Sequence, residues 1–432
     1  MSLGNPREFF AVANPREVGL VTVAHGVNEF YSVALPPILP LLVADFDVTY
    51  GEAGALLTVF FVMYSVFQLP AGVVADRVGQ RLLLAAGMVV LSAGIFVSSL
   101  APNYETLVAG QVLAGVGGST YHPAGMSLIS DIETGDTEGK AMGIHGLGGV
   151  TGTALAPALI GGLAALYDWR LALTVAAGVG VAYAVLFYLL FPDVEGEAPA
   201  TDGAGVDADD AGGTAEASGE ASSPAASTGD APDSFGATLR RGVERLVNVP
   251  LAGWVLVLFV TNFFISLELG AVRTFATSYL FERTGGSTTE ANAIFFVMLV
   301  GAGIASVGAG HLADRSDRTL IGFGAMAAAA LVLTVTAFVP ANVPLLVGWF
   351  FLLGVLSYAV YPAMNAITSA YSERDFSGSL FAVMLTAGSL GGAVGPVAFG
   401  VVAERVGMTV AFPGIAVVAA VAAAMFLVVR RL

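Results

Sequence analysis

Twelve long apolar segments dominate this chain of 432 residues. A helix needs about 20 predominantly apolar residues to cross the hydrocarbon core of a bilayer. Barrel strands are not expected, because they show alternating polarity over only about ten residues. Six segments precede an acidic stretch and six follow it: 18–44, 51–75, 82–101, 104–130, 141–165, 171–191, 249–280, 291–313, 320–339, 343–371, 378–402 and 408–429. The sequence therefore predicts an all-α membrane protein with twelve transmembrane helices.

The composition excludes several classes of protein. Charged residues make up only 12% of the chain, against about 25% in an average soluble domain. The absence of cysteine excludes disulfides and thiolate metal or redox sites. We find no phosphate-binding loop, metal-ligand cluster or nucleophile triad, so we expect no catalytic residues, metal or cofactor. The net charge of −16 argues against a nucleic-acid partner. The N-terminus lacks the pattern of a cleaved signal peptide, so we expect the first segment to be retained.

An acidic segment divides the chain into two halves. Residues 193–235 contain eleven acidic residues, no basic residue and a single aromatic residue, at their end. Such a composition cannot bury enough apolar surface to fold, so we predict a disordered linker. The predicted organisation is an N-terminal half (1–192), an acidic linker with a basic end (193–248) and a C-terminal half (249–432).

The basic residues predict the orientation in the membrane. If the N-terminus lies in the cytoplasm, thirteen of the 17 basic residues also lie there, as the positive-inside rule requires. These are Arg7, Arg16, Arg77, Arg81, Lys140, Arg240, Arg241, Arg245, Arg315, Arg318, Arg374, Arg430 and Arg431. We therefore predict that both termini and the linker are cytoplasmic.

The two halves contain matching motifs in the same order. The run GVVADR (72–77) recurs as GHLADR (310–315), at an offset of 238, and LGGVTG (147–152) recurs as LGGAVG (390–395), at an offset of 243. Gly115 and Pro123 recur as Gly354 and Pro362, at an offset of 239. Repeats of this kind are common in transporter folds. The sequence therefore predicts two similar six-helix halves.

The motif GVVADRVGQR (72–81) resembles the signature loop of the major facilitator superfamily. Its second copy, GHLADRSDR (310–318), has Asp317 where that signature has glycine. The runs HGVNEFY (25–31) and YHPAGMSLIS (121–130), with the Arg-Thr-Phe run that begins at Arg273, resemble the fosmidomycin-resistance branch, although Glu29 replaces the usual aspartate. The run ATSYL (276–280) also departs from the proline-containing run usual in that branch. The resemblance implies a monomeric secondary transporter with a central cavity between the halves. Relatives on this branch are mostly proton-coupled exporters of drugs or small organic solutes.

Three polar residues share one face of the first segment. His25 and Glu29 are four positions apart, and Asn28 lies between them. Glu29 lies eleven residues into the segment, or about 16 Å along a helix, near the middle of the bilayer. An ionisable group at that depth usually faces the bundle interior and is functional. His25 is closer to the cytoplasmic end, and either an interfacial or a functional position fits it.

The repeat extends the candidate cavity to the second half. An offset of 239 pairs Glu29 with Glu268 and His122 with Tyr361. A carboxyl group buried in a low-dielectric cavity can exchange protons near neutral pH, which makes Glu29 the first and Glu268 the second candidate for proton coupling. Arg273 requires either a partner on another helix or an anionic ligand, unless it lies at the outer membrane interface, which its position toward the outer end of its segment also allows.

Tyr121 and His122 precede Pro123, which is expected to kink the fourth segment. His122 is expected either to contact substrate or protons or to bond the backbone freed by the proline, and the sequence leaves both open. His145, in the fifth segment, is expected to be structural.

The Asp-Arg motifs are candidate gates. Asp76 lies at the C-terminal end of its own helix, where a negative charge is unfavourable, so it should find a helix N-terminus or an arginine elsewhere. The resemblance implies that this acid docks against the other half, and the same reasoning covers Asp314. The predicted gating residues are Asp76, Arg77, Arg81, Asp314 and Arg315.

Three functions fit the sequence. We expect proton-coupled export of a small organic solute across the plasma membrane. The first alternative is a proton- or cation-coupled symporter that imports a small organic anion and binds it at Arg273. The second is a membrane sensor without transport. Substrate, direction and coupling ion are left open.

Overall fold

A computed structural model describes residues 11–192, 240, 253–313, 316–371 and 377–432. The predicted linker and the gating residues Asp314 and Arg315 lie outside these ranges, except for residue 240. The described residues form helices and connecting turns, with no strand. The helices are α1 (Pro15–Ser32), α2 (Leu39–Phe46), α3 (Tyr50–Val78), α4 (Gln80–Ser99), α5 (Tyr104–Gly118), α6 (Tyr121–Ile132), α7 (Glu138–Ala156), α8 (Gly162–Leu166), α9 (Trp169–Leu190), α10 (Gly253–Arg283), α11 (Thr288–Ala313), α12 (Arg318–Thr336), α13 (Val343–Ala370), α14 (Ser377–Val406), α15 (Met408–Gly414) and α16 (Ala416–Val429).

Eleven helical stretches among the described residues are long and apolar enough to cross a membrane. They match eleven of the predicted segments, and the segment at 104–130 falls instead on α5 and α6, each too short by itself. The interruption precedes Pro123, which sits in the first turn of α6, where a proline is tolerated. The structure thus has a helix break where the sequence predicted a kink.

Prolines also divide the first segment. Helix α1 ends at Ser32, a 3₁₀ turn spans Pro36–Ile38, and α2 begins at Leu39. Each proline lacks the backbone N–H that would continue the helical ladder, so three of them within five residues cannot lie in one regular helix. The chain therefore bends at these prolines.

Glycines bring helix backbones into direct contact in both halves. A Cβ atom on Gly152 of α7 would clash with the carbonyl oxygen of Gly26 in α1. In the second half, a Cβ atom on Gly395 of α14 would clash with the carbonyl oxygen of Leu267 in α10. Small residues allow this close packing in membrane helices. The repeated LGG motifs therefore perform the same packing task in each half.

The two halves join at the end where α3 begins and α14 finishes. Glycines again bring the backbones together there, since a Cβ atom on Gly54 would clash with the carbonyl oxygen of Pro396. We call this set of contacts the latch. Its hydrogen bonds run from Gly51 N to Glu404 Oε1 (2.8 Å), from Tyr50 Oη to Glu282 Oε1 (2.8 Å), from Thr58 Oγ1 to the Ala393 carbonyl (2.6 Å) and from Asn292 Nδ2 to the Pro37 carbonyl (3.0 Å).

The buried apolar clusters follow the same division. At the latch, one cluster contains residues of both halves, for example Leu35 and Phe275. At the opposite end each half has its own cluster, with Phe187 in the first and Phe426 in the second. Among the described residues, the buried clusters therefore join the halves at the latch and are separate at the far end.

Candidate functional site

A polar cavity lies between the halves. It is located between the latch and the far end, where each half has its own apolar cluster. Along α3, the latch residues are followed by the cavity-lining stretch from Leu57 to Gln68. The cavity has two lobes. Lobe A, about 390 Å³, is lined by residues of α1, α3, α6, α10, α13 and α14. Lobe B, about 310 Å³, is lined by residues of α1, α6, α7, α10, α11 and α13. Three predicted site residues line both lobes: Glu29, His122 and Arg273.

Glu29 lies on the cavity wall, with its side chain 22% exposed. Asn28 Nδ2 donates to its Oε1 at 3.3 Å. The Ser32 hydroxyl donates to the backbone carbonyl of Glu29 at 2.8 Å and lies 3.3 Å from Oε2. The Nε2 atom of His122 lies 3.9 Å from Oε1. Asn28 is buried and also donates to the hydroxyl of Tyr64 at 3.1 Å, so the amide that touches Glu29 is itself held in place. The role of Glu29 in proton coupling stays a prediction.

Three histidines form a cluster beside Glu29. The ring of His25 lies nearly parallel to those of Tyr121 and His145, with centroid distances of 5.1 Å and 4.2 Å. His25 Nδ1 lies 2.9 Å from the carbonyl oxygen of His145. A carbonyl can only accept a hydrogen bond, so Nδ1 carries the proton and Nε2 of a neutral His25 keeps its lone pair. His145, which we expected to be structural, thus orients a residue that lines lobe B.

His25, Glu29 and His122 each offer one ligand-type atom within 4.8 Å of one another. The sequence showed no such cluster, because the histidines come from helices that are far apart in the chain. Two imidazoles and a carboxylate can share a proton or hold a small cation. Arg273 lines the same lobe, and its positive charge disfavours a divalent cation there.

Arg273 makes a contact across the two halves. Its Nη2 atom donates to Ser32 Oγ at 3.4 Å, and Ser32 in turn contacts Glu29. Arg273 lies on α10 of the second half and Ser32 at the end of α1, so one hydroxyl of the first half lies beside both charged groups. Ser32 is thus a contact of Arg273 on another helix, and an anionic ligand stays a prediction.

Glu268 occupies a different environment from its repeat partner. Its relative exposure is 0%, and it accepts one hydrogen bond, at 2.9 Å, from Ser357 of α13. Its second oxygen has no partner among the described residues. Glu268 lines neither lobe, whereas Tyr361, the partner of His122 in the repeat, lines lobe A.

The described gating residues lie at the far end of α3 and the start of α4. Arg81 donates from Nε to the carbonyl of Tyr188 at 3.0 Å, and its guanidinium lies 4.6 Å above that ring. Asp76 and Arg77 lie in the last turn of α3, and their role in gating stays a prediction.

Two functional acids escaped the sequence analysis. Glu404 of the latch lies in the run GVVAERVG (400–407), which differs from GVVADRVG (72–79) only in its acid. The final glycines of the two runs, Gly79 and Gly407, have φ of 83° and 82°, a conformation that favours glycine. This third copy of the motif was the signal that would have revealed the latch.

The second missed acid is Glu133, which follows α6. It is buried and accepts hydrogen bonds from the backbone N–H groups of Ala13 and Asn14, at 3.0 Å and 2.5 Å, just before α1 begins. Although burial opposes ionisation, these bonds together with one from Thr137 hold the pKa of Glu133 below its usual range. The carboxylate thus fixes the start of α1, the helix that carries Glu29.

A further cavity of about 710 Å³ lies between α1, α7 and α9, and its lining is almost entirely apolar. It contains none of the predicted site residues and no Asp, Glu, His, Lys or Arg side chain. We therefore place the candidate site in the two polar lobes.

An all-helical chain whose two halves enclose a polar cavity and join at one end has the architecture of a polytopic membrane transporter. The chain belongs to the Major Facilitator Superfamily, whose family model matches residues 20–267 and 258–432. This match confirms the predicted superfamily, and the helical fold agrees with the predicted all-α membrane protein. A bacterial homologue of the human lysosomal transporter Spinster, in an inward-facing occupied conformation, has a TM-score of 0.74 at 14% identity and covers 96% of both chains. A mutant of the nucleoside transporter NupG has a TM-score of 0.75 at 12% identity and covers 96% of this chain and 100% of its own.

Curated relatives resemble this chain over a shorter range. The probable L-galactonate transporter of Escherichia coli K12 is 30% identical over 33% of this chain and 32% of its own length. The fosmidomycin resistance protein of the same organism is 27% identical over 35% and 37%. The quinolone resistance protein NorA of Staphylococcus aureus is 25% identical over 36% and 40%. The alignments span about a third of each curated relative.

Proposed function

We propose that this chain is a proton-coupled secondary transporter that exports a small organic solute across the plasma membrane by alternating access. The observation that carries the proposal is the position of Glu29. Among the described residues that line the two lobes, it is the one carboxylate, and it contacts His122 in its own half and Ser32, which Arg273 of the other half also contacts. A proton bound at this point changes the charge between the two halves.

The direction of transport is supported by two kinds of relative. The fosmidomycin and quinolone resistance proteins are named for resistance, which export of a drug provides. With both termini in the cytoplasm, the latch closes the outer side and the cavity opens toward the cytoplasm. A monomer is sufficient for this mechanism, because one chain supplies both halves of the cavity.

A second candidate is a symporter that imports a small organic anion. The observation that favours it is Arg273 on the wall of both lobes. The partial likeness to a probable L-galactonate transporter points the same way.

The two candidates differ in where a substrate accumulates. We would reconstitute the purified chain in proteoliposomes, impose a pH gradient and follow labelled fosmidomycin, a quinolone and L-galactonate. In an antiporter, protons leave the acidic compartment, so substrate accumulates there. In a symporter, substrate travels with the protons and accumulates in the alkaline compartment. Equilibration without accumulation in either gradient would refute proton coupling.

The Glu29→Gln variant tests the proton site itself. We expect it to lose accumulation but to keep exchange of labelled for unlabelled substrate, since exchange requires no net proton transfer. Glu268→Gln is the matched control, because Glu268 lines neither lobe and its replacement should leave accumulation in place. Full accumulation by Glu29→Gln under the imposed gradient would exclude Glu29 as the coupling residue.

A further inference from the structure

Arg273 has unused capacity to bind a ligand. Among the described residues, its only hydrogen bond is the long contact with Ser32 Oγ, at 3.4 Å. A guanidinium carries five N–H donors in a planar fork. Because Arg273 lines lobe B and is not fully buried, most of these donors are available to a molecule in that lobe.

Tyr358 supplies a second unpaired group in the same lobe. Its hydroxyl is screened from solvent and has no hydrogen-bond partner among the described residues. It lies on α13 and lines lobe B together with Arg273. A buried hydroxyl without a partner is unfavourable, so a bound acceptor at this position gains a donor that the protein otherwise leaves unused.

The rest of lobe B suits a small organic skeleton. Its wall also contains apolar groups, namely Val150, Leu299 and Ala302, with the hydroxyls of Thr153 and Ser306. A volume of about 310 Å³ is at the small end of the range for ligand pockets. The lobe therefore offers donors at one side and apolar contacts for a compact carbon skeleton at another.

We propose that lobe B binds the oxoanion of a small organic acid, a carboxylate or a phosphonate, through the guanidinium of Arg273 and the hydroxyl of Tyr358. An oxoanion presents two oxygens to the guanidinium fork, and a third contact from the phenol fixes its orientation. This proposal deepens the proposed function by naming its substrate class, and it holds for either direction of transport.

The test is direct binding to the purified full-length chain in detergent, measured by isothermal titration calorimetry. The probes are benzoate and phenylphosphonate, with benzamide and benzyl alcohol as neutral molecules of the same ring size. We expect the acids to bind and the neutral molecules to bind at least tenfold more weakly. Arg273→Gln should weaken acid binding by roughly tenfold or more, the usual loss for a charge-assisted hydrogen bond, and Tyr358→Phe should weaken it by a smaller factor. Arg405→Gln, a change of the same type at an exposed position, should leave acid binding unchanged.

Three results would overturn the subsite: no acid binding by the wild type at millimolar concentration, equal binding of acids and neutral molecules, or unchanged acid binding by Arg273→Gln. Unfolding is separated from loss of the site by size-exclusion elution and by the Tyr358→Phe variant, which keeps the ring. Acid binding without accumulation under a pH gradient would reject proton-coupled transport and leave the subsite standing. Accumulation under a pH gradient without selective binding of acids would reject the subsite and leave proton-coupled transport standing.

Discussion

The latch predicts that removal of one carboxylate will shift the balance between the two open states of the cavity. Glu404 ends α14 of the second half, and its Oε1 accepts the N–H of Gly51, 2.8 Å away, in the first turn of α3. A negative charge at a helix N-terminus is favourable, and this one comes from the opposite half. Glu404→Gln removes the charge and keeps the size of the side chain, so only the state with a closed latch loses stability.

The size of the shift follows from the exposure of Glu404. Because the residue is exposed, we use the upper end of the range for exposed ionic contacts, about 1 kcal/mol. A difference of 1.4 kcal/mol corresponds to a factor of ten, so we expect roughly a fivefold increase in the ratio of latch-open to latch-closed molecules.

The chain has no cysteine, so a spin-label pair is introduced on an unaltered background. Ala44 and Val406 are exposed, lie at the latch end of opposite halves, and are suitable positions for the labels. Double electron–electron resonance should show a larger long-distance population in Glu404→Gln. The control is Glu52→Gln, because Glu52 is an acid in the same turn of α3 whose carboxylate, among the described residues, bonds only Thr49 of its own half. An unchanged distance distribution in Glu404→Gln, or an equal shift in the control, would refute the role of the latch.

Three further predictions concern stability, each measured as the unfolding midpoint of the purified chain. The pKa of Glu133 is lowered in the folded state, so its stabilising effect is complete above the ordinary glutamate range and is lost as pH falls through the folded-state value. Glu133→Gln should therefore lower the free energy of unfolding by about 1.5 kcal/mol at neutral pH and leave it unchanged at acidic pH. An equal cost at both pH values would contradict the assignment. Gly152→Ala should destabilise by about 1–3 kcal/mol because its methyl group meets the backbone of α1, while Gly162→Ala, with open space around it, should be neutral; equal effects would argue against the close contact. Ser357→Ala should cost about 1–3 kcal/mol because it leaves Glu268 buried without a partner, and a change in substrate affinity of similar size would contradict the separation of Glu268 from the cavity.

The sequence predicted the helices well because each apolar run is long enough to be recognised alone. It placed Glu29 on the cavity wall, since an acid in an apolar helix has few other favourable positions. It predicted the same position on the cavity wall for Glu268, which is instead buried inside the second half and accepts a hydrogen bond from Ser357. A helix in the middle of a bundle has neighbours on every side, so its periodicity does not reveal which face meets the cavity.

The histidine cluster was inaccessible for a related reason. His25 and His145 are 120 positions apart in the sequence, and His122 lies between them. Only the packing of α1, α6 and α7 brings the three rings together. By contrast, the third copy of the Gly-Val-Val-Ala motif at Glu404 was readable in the sequence.

Backbone-to-backbone contact at Gly26 and Gly152, and again at Gly395, makes each half behave as a solid lever that rocks about a fulcrum in the cavity, between the latch and the far end. In a lever, the distance a point travels grows with its distance from the fulcrum. Ser32 and Arg273 lie near the fulcrum, so their contact separates little when the halves rock, while the turn that follows Asp76 swings through the widest arc. The charged centre is thus nearly stationary. The path of the bound solute opens first to one side of the membrane and then to the other, around this fixed centre.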